Sequence, residues 1–488
     1  MRCRHSNDTT RMETEIKKFI KEYSSEILDG NAAIFAGAGL SMSCGMSSWK
    51  ELLKDIAEEL KLDIDRENDL LSIAQFYYNK KRGRGEINQQ LIKAFKKKVT
   101  LSDNHRILAS LPISTYWTTN YDHLIEESLE DEGKIVDIKK TIENLAQSIP
   151  HRDVVIYKMH GDVDDPSKTV LLKDDYEIYH QKNALFITSL KSDLLSKTFL
   201  FIGFSFDDPN LFYILSKIRI LLEEDAKPHY CIFRSVRRDD FEDEKIFTYE
   251  KIRQELRMDD LKRYGIRPIL IEKFEQIKDI LFHIKTKVLS KSIFISGAAE
   301  KYDPMHPDDA NKFVFEIARQ LAATGNKIVS GFGLGVGSSV VNGVLSYVYS
   351  STGRLLDHHI VLRPFPQNIK DIDERKEKWS RYRKDMISQA GIAIFLFGNK
   401  KQGSNTILSD GMREEFEIAK KHKLTIIPVA ATGYMAKEIW ADISSNLNEY
   451  YSSLKLRNAI TILNQLTLDQ TEGLVTAIIK AVEATQEL

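Results

Sequence analysis

Residues 34–45 read "IFAGAGLSMSCG": an apolar run breaks into Gly37, Ala38 and Gly39 and passes through Ser41 into small polar residues. At the end of a buried strand, glycine lets the backbone turn sharply and approach a pyrophosphate with no Cβ in the way. Ser41 adds a hydroxyl donor. The same pattern also serves tight packing alone, and the third glycine of a dinucleotide fingerprint is absent, because position 42 is Met. The stretch poses a question of phosphate binding that the rest of the chain must answer.

Working outward, Ile16, Phe19, Ile20, Tyr23 and Ile27 recur at helical spacing, and Gly30 stands where that helix stops. Beyond the glycine turn, short apolar runs alternate with helical patterns: "TYWTTN" (115–120), "VVIYKMHG" (154–161), "TFLFIGFSF" (198–206), "HYCIF" (229–233) and "IRPILIE" (266–272). Runs buried on both faces and separated by helices predict a largely parallel sheet. A lysine-rich helical stretch at 272–291 leads to a second start of the same rhythm: "SIFISGAAE" (292–300), "KIVSGFGLGVG" (327–337), "HIVLRPFP" (359–366), "GIAIFLFG" (391–398) and "LTIIPVAATG" (424–433). The expected fold is α/β, two doubly wound Rossmann-like domains at 12–287 and 288–488.

The length of 488 residues with 42% hydrophobic composition suits two cores. A net charge of −1 with interspersed signs gives no basic field for a polyphosphate backbone, so nucleic acid is not an expected partner. The charged start lacks a signal-peptide core, and no apolar run approaches the roughly 20 residues that span a bilayer, so a cytoplasmic protein with no membrane partner is expected. Cys3, Cys44 and Cys231 are too few and too scattered for a disulfide framework or a zinc knuckle.

In open parallel sheets ligands bind beyond the carboxyl ends of the strands. At those ends lie Asn120 and Asp122 in "TTNYD", His160 and Gly161 in "KMHGD", and Gly203 and Ser205 in "GFSFDDPN". Taken singly, Asn120 and Asp122 read as helix caps and His160 as a turn histidine. Asp208 before Pro209 reads as an N-cap followed by proline at the first helical position. His123 and His151 lack such company and read as surface residues, and "KKRGRGE" (80–86) reads as a solvated loop.

Together, and in this order, GAGLS, T-x-N-x-D, H-G and G-x-S resemble the NAD-binding core of the sirtuins. The resemblance implies that Gly37, Ala38, Gly39, Ser41, Gly203 and Ser205 line the NAD phosphates and ribose. It also puts Asn120 and Asp122 beside the nicotinamide ribose, with His160 as the nearby base. Breaking the nicotinamide glycosidic bond develops oxocarbenium character, and an amide, a carboxylate and an imidazole suit the orienting and proton-transfer tasks. Protein-deacylating sirtuins carry a four-cysteine zinc module that three scattered cysteines cannot supply. Water is then the natural nucleophile, and hydrolysis of NAD to ADP-ribose and nicotinamide, with no metal, is the expected reaction.

In the second half, Gly297 and the loop Gly331, Gly333, Gly335, Gly337, Ser338 and Ser339 offer backbone amides and a helix start to an anion. Arg383, Lys400 and Glu415 fall at three successive junctions of the same sheet, two cations for phosphates and one carboxylate for ribose hydroxyls. Arg381 and Arg383 compete for the phosphate role. This arrangement resembles the SLOG family of Rossmann-like nucleotide sensors. The Pro-Gly-Gly-x-Gly-Thr loop of the phosphoribohydrolase branch is absent, which implies a sensor. A sirtuin-like domain followed by a SLOG domain is similar to the NADase effectors of Thoeris antiphage defence. That resemblance implies NAD hydrolysis kept quiet until a cyclic ADP-ribose isomer, made by a TIR-domain partner protein, binds the SLOG domain of a homo-oligomer, a tetramer or higher. A catalytically silent NAD- or ADP-ribose-binding scaffold is the alternative.

Overall fold

The computed structural model describes residues 2–67, 69–206, 208–222, 227–366 and 369–487, with side chains from residue 11 onward apart from 218 and 220–222. The chain divides into two compact units between Lys285 and Thr286, within the helix Gln276–Leu289.

The first unit is built on seven strands: β1 (Ala32–Ala36), β2 (Thr115–Thr118), β3 (Val136–Lys139), β4 (Val154–Lys158), β5 (Thr198–Ile202), β6 (His229–Arg234) and β7 (Ile266–Ile271). They lie in the order β3-β4-β2-β1-β5-β6-β7, every pair parallel. The central strands β1, β2 and β5 are buried at every position, which is why their sequences are unbroken apolar or β-branched runs with no alternation. The leading helix Arg2–Leu28 buries Phe19, Tyr23 and Ile27, and Gly30 ends it in the left-handed region.

Edge strand β3 has no counterpart in the sequence reading. It reads "VDIK", and its two inward side chains are the ion pair Asp137–Lys139, 2.8 Å apart. Burying charges rather than aliphatic groups hides a strand from a hydrophobic pattern.

Between β1 and β2 the helices Trp49–Leu60, Leu70–Lys81 and Gly85–Phe95 form a lobe with its own core around Leu53, Ile73 and Leu91. That core also takes in Tyr121 from the loop after β2 and Val163, Leu171 and Leu172 from the segment after β4. The 80–86 segment is part of this construction rather than a solvated loop. Arg84 pairs with Asp175 at 3.1 Å and donates to Thr169 Oγ1 at 3.1 Å.

The second unit carries β8 (Ser292–Ala298), β9 (Lys327–Ser330), β10 (Ile360–Leu362), β11 (Ile392–Phe397), the hairpin β12 (Asn399–Gln402) with β13 (Asn405–Leu408), and β14 (Thr425–Pro428). The main sheet is parallel, in the order β10-β9-β8-β11-β14, so the strand order reverses between β8 and β11. The antiparallel hairpin turns at Gly403, and it replaces the plain strand-to-helix junction that "LFGNKK" suggests.

Candidate functional site

Register makes the site of the first unit. Ala36 pairs with Thr118 on one side and Ile202 on the other, and Thr118 pairs with Lys158. The four strands therefore end level. Gly37, Asn120, His160 and Gly203 follow those ends by one or two residues, which sets them on one rim at the point where strand order reverses around β1.

The glycine turn is a backbone-to-backbone fit. Gly37 N donates to Ile202 O at 3.0 Å and Gly39 N to Gly203 O at 2.8 Å. Gly203 sits at φ +64°, and a Cβ there would collide with Leu40 N. Here glycine is required twice over, by conformation and by space. Ala38 and Gly39 are exposed at the rim, Ser41 is buried, and Ser205 is exposed with its carbonyl accepting from Arg257.

Asn120 is buried and fully oriented. Its amide nitrogen donates to Gly37 O at 3.1 Å and Ser41 Oγ at 2.9 Å, and its backbone N–H donates to Thr118 Oγ1 at 2.9 Å. Both amide protons are spent within the fold, so the carbonyl oxygen alone is left for a ribose hydroxyl or water. The Asp122 carboxylate divides its labour. Oδ1 accepts from Leu124 N at 3.1 Å, while Oδ2 is buried with no hydrogen-bond partner among the described residues. A buried orphan acceptor demands an explanation, and an amide donor would satisfy it.

His160 has a partner that sequence reasoning left as a cap. Its Nε2 lies 3.1 Å from Asp208 Oδ2, within ion-pair reach though off the line of a hydrogen bond. The other oxygen, Oδ1, does cap the helix Pro209–Leu222, accepting from Asn210 N at 2.9 Å and Leu211 N at 3.1 Å. Burial pushes the Asp208 carboxyl up, but His160 and the two amides outweigh it and hold it below the ordinary carboxylate range. Tyr176 packs edge-on against the imidazole with centroids 5.4 Å apart.

Beneath the rim, Lys158 ties the loops together. Its Nζ, fully buried, lies 2.7 Å from Glu126 and 2.8 Å from Asp162, and it donates to Asp122 O at 2.6 Å. His123 also joins this network rather than facing solvent: it lies 3.0 Å from Asp162, and that hydrogen bond raises its imidazole above the usual range. His123, Asp162 and Asp164 bring ligand atoms within 4.8 Å of one another, as a metal would need. Lys140 at 3.6 Å and Lys158 at 2.8 Å already balance Asp162.

In the second unit the glycine loop is folded onto the end of β8. Ala299 N donates to Leu334 O at 2.8 Å, Gly337 N to Gly333 O at 2.8 Å, and Tyr302 Oη to Gly335 O at 2.6 Å. Cβ atoms at Gly333, Gly335 or Gly337 would strike Gly297 O, Ala299 O or Phe332 Cα. These glycines thus serve close packing, and the amides of 299 and 337 are already engaged. Ser338 is exposed at the start of the helix Gly337–Val348, and Ser339 is tied to Asn311 at 2.9 Å.

Arg383, buried, lies 2.7 Å from Glu414 and 3.4 Å from Glu415, with its guanidinium 5.0 Å from the Phe365 ring centroid. Arg381 is exposed. Glu415 accepts from Ser296 Oγ at 2.6 Å, and burial raises its carboxyl despite Ser296 and Arg383. Lys400 stands on the hairpin, paired with Asp410. Arg383, Glu415 and Ser296 meet; Lys400 pairs with Asp410, whose neighbour Gly411 lies against the Arg383 guanidinium.

A parallel sheet with a glycine turn, an oriented Asn and a His–Asp pair at its rim, followed by a second such sheet, defines a two-domain protein of the sirtuin-like and SLOG class. Residues 114–269 match the profile of the SIR2-like domain, and 276–485 that of the Sir2- and TIR-associating SLOG family. The chain is 48% identical over 449 residues to "NAD(+) hydrolase ThsA" of Cytobacillus dafuensis, spanning 90% of this chain and 91% of that one. Against the protein of the same name from Bacillus cereus (strain MSX-D12) it is 45% identical over 476 residues, 97% and 99% of the two chains. "Defense-associated sirtuin 2" of Bacillus subtilis is 29% identical over 249 residues, 49% of this chain and 24% of that one. The chain belongs to the ThsA family.

Proposed function

We propose that the protein is an NAD⁺ glycohydrolase, releasing nicotinamide and ADP-ribose, whose activity is switched on when a cyclic ADP-ribose isomer binds the second unit. The observation that carries the reading is the shared rim on which Gly37, Asn120, His160 and Gly203 stand, in a chain whose relatives are named NAD(+) hydrolase. The Gly37–Ser41 turn and Gly203 border the phosphates and ribose. Asn120 Oδ1 orients a ribose hydroxyl or the attacking water, Asp122 Oδ2 accepts from the nicotinamide carboxamide, and His160 takes the proton. Asp208 steadies the imidazolium as it forms, and preorganised charge of this kind needs no reorganisation at the moment of bond breaking.

In the second unit, Arg383 and Lys400 receive phosphate and Glu415 a ribose hydroxyl. A switch from about 1% to 99% active requires a differential affinity of about 5.5 kcal/mol. Charged hydrogen bonds are each worth about 1.5–3 kcal/mol, so a few phosphate contacts made only in the active state suffice. We place the protein in the cytoplasm, where the NAD pool is, as a homo-oligomeric effector of antiphage defence supplied with its activator by a TIR-domain protein. No helix among the described residues is long and apolar enough to cross a membrane.

The test is NAD hydrolysis by purified protein with and without a panel of cyclic ADP-ribose isomers. One isomer is expected to accelerate nicotinamide release at least tenfold and to fail on Arg383→Ala. Equal rates with and without every isomer would remove the gating.

A further inference from the structure

Three large aromatic residues near strand ends are held in the left-handed backbone region, which bulky side chains avoid: Phe206 (φ +58°), Phe332 (φ +56°) and Phe397 (φ +56°). For two of them burial offsets the strain. Phe206 is 1% exposed, its ring 5.0 Å from that of Phe201, and Phe397 is 0% exposed, its ring 5.4 Å from that of Tyr302. Phe332 is 47% exposed, so water still covers much of its ring.

The loop nevertheless fixes it in place. Phe332 N donates to Ser330 Oγ at 3.2 Å, the flanking hydrogen bonds of Leu334 O and Gly333 O pin the next residues, and the ring edge lies over Gly337, where a Cβ would come within 3.1 Å. Leu334, 66% exposed, stands two residues on. On the other flank, a Cβ at Gly331 would come within 2.9 Å of Phe365, the ring that stacks on Arg383. A fixed exposed ring and an exposed aliphatic side chain thus stand in the loop after β9 whose first residue, Gly331, backs onto the ring that stacks on a buried guanidinium. Strained, over-determined residues of this kind cluster at ligand sites. A flat apolar face next to a cation is what a nucleotide needs, one for the base and one for the phosphate.

We propose that Phe332, flanked by Leu334, is the base-binding platform of the second unit, the adenine of the ligand stacking on its ring while Arg383 holds a phosphate. The inference rests on the reading of this unit as a cyclic ADP-ribose site and adds to it the residue that recognises the base. It also accounts for an aromatic residue where glycine would relieve the backbone.

The experiment is calorimetric titration of the full-length protein with the panel of cyclic ADP-ribose isomers, comparing wild type, Phe332→Gly, Phe332→Trp and Arg383→Ala, with melting temperatures alongside. Phe332→Gly suits the left-handed φ, so its melting temperature is expected to stay level or rise while affinity falls on the order of tenfold to a hundredfold. Phe332→Trp, which keeps a stacking face, is expected to bind within about threefold of wild type. Affinity of Phe332→Gly within about twofold of wild type, with Arg383→Ala abolishing binding, would overturn the platform and leave the phosphate site standing. Wild type that binds no isomer would overturn the site reading itself, and the platform with it. Should Phe332→Gly fail to fold, Phe332→Leu gives the same comparison: weakened binding supports stacking, and unchanged binding overturns it.

Discussion

Replacing Asp208 by Asn separates its two jobs. Oδ1 caps the helix Pro209–Leu222 through Asn210 N and Leu211 N, and Oδ2 faces His160 Nε2 at 3.1 Å. Asn caps a helix about as well as Asp, so the variant keeps the cap and loses the charge. Two unit charges 3.1 Å apart at an effective dielectric of about 20 attract by about 5 kcal/mol, a ceiling on what the imidazolium gains from the carboxylate as His160 accepts a proton. A positioned general base contributes about 10²–10⁴ in rate, about 2.7–5.4 kcal/mol, the upper end of which just reaches that ceiling. The expected result is a kcat lower by about 10²–10⁴-fold with KM changed by less than about threefold, because the carboxylate acts on the transition state and not on NAD binding. Steady-state nicotinamide release, measured by chromatography with the activating isomer present, gives both constants, and a thermal melt checks the fold. Asp208→Ala, which also loses the cap, should melt lower by the equivalent of about 0.5–2 kcal/mol. An Asp208→Asn enzyme with wild-type melting temperature and more than half of wild-type kcat would refute the reasoning.

Gly203→Ala should lose most NAD hydrolysis and lower the melting temperature, since its Cβ would force the 203 and 37–40 turns apart, and a displacement of about 1 Å can cost 10²-fold in rate. An active variant with an unchanged melt would show the two turns to be independent. Lys158→Met leaves Glu126 and Asp162 buried without their cation and should destabilise the first unit by about 3–5 kcal/mol in denaturant titration; a loss below about 1 kcal/mol would mean the pair is solvated. Burial lowers His105 and His229 from 6.5 to about 4. The unfolded chain therefore takes up protons near pH 6.5 and the folded chain only near 4, so stability is complete above pH 6.5 and falls as pH drops through that window, by up to about 3 kcal/mol per histidine. His123, raised by its hydrogen bond to Asp162, works in the opposite sense, its contribution being lost as pH rises through its folded value. Melting curves of His105→Gln and His229→Gln between pH 4 and 7 should be flatter than those of wild type, and parallel curves would mean that neither imidazole is buried neutral.

Much of this architecture can be read from strand chemistry. Runs such as Thr198–Ile202, buried on both faces, have no amphipathic alternative, and glycine immediately after them marks the turn. Strand β3 escapes because its inward residues are Asp137 and Lys139, and the β12–β13 hairpin because its first strand, "NKKQ", is polar throughout. The rim residues Asn120 and His160 are visible as motifs, yet their partners are not. Asp208 is satisfied as a helix cap from local sequence alone, and its second oxygen finds His160 only once β4 and β5 lie in register with β1 and β2. The glycine loop after β9 illustrates the reverse: its composition suggests a ring of free amides, while folding commits those of 332, 336 and 337 to hydrogen bonds within the loop and leaves Phe332 as an exposed feature.

The central claim is that the rim of the first unit breaks the bond between nicotinamide and ribose, with Asn120 and His160 at the reacting carbon. Its most direct test is single-turnover nicotinamide release from NAD in ¹⁸O-water, with the activating isomer, for wild type, Asn120→Ala and His160→Ala. The account predicts stoichiometric nicotinamide and one ¹⁸O atom in the ADP-ribose from wild type, and release slowed at least about 10²-fold in each folded variant. Wild-type rates in either variant, or no nicotinamide from wild type, would contradict it.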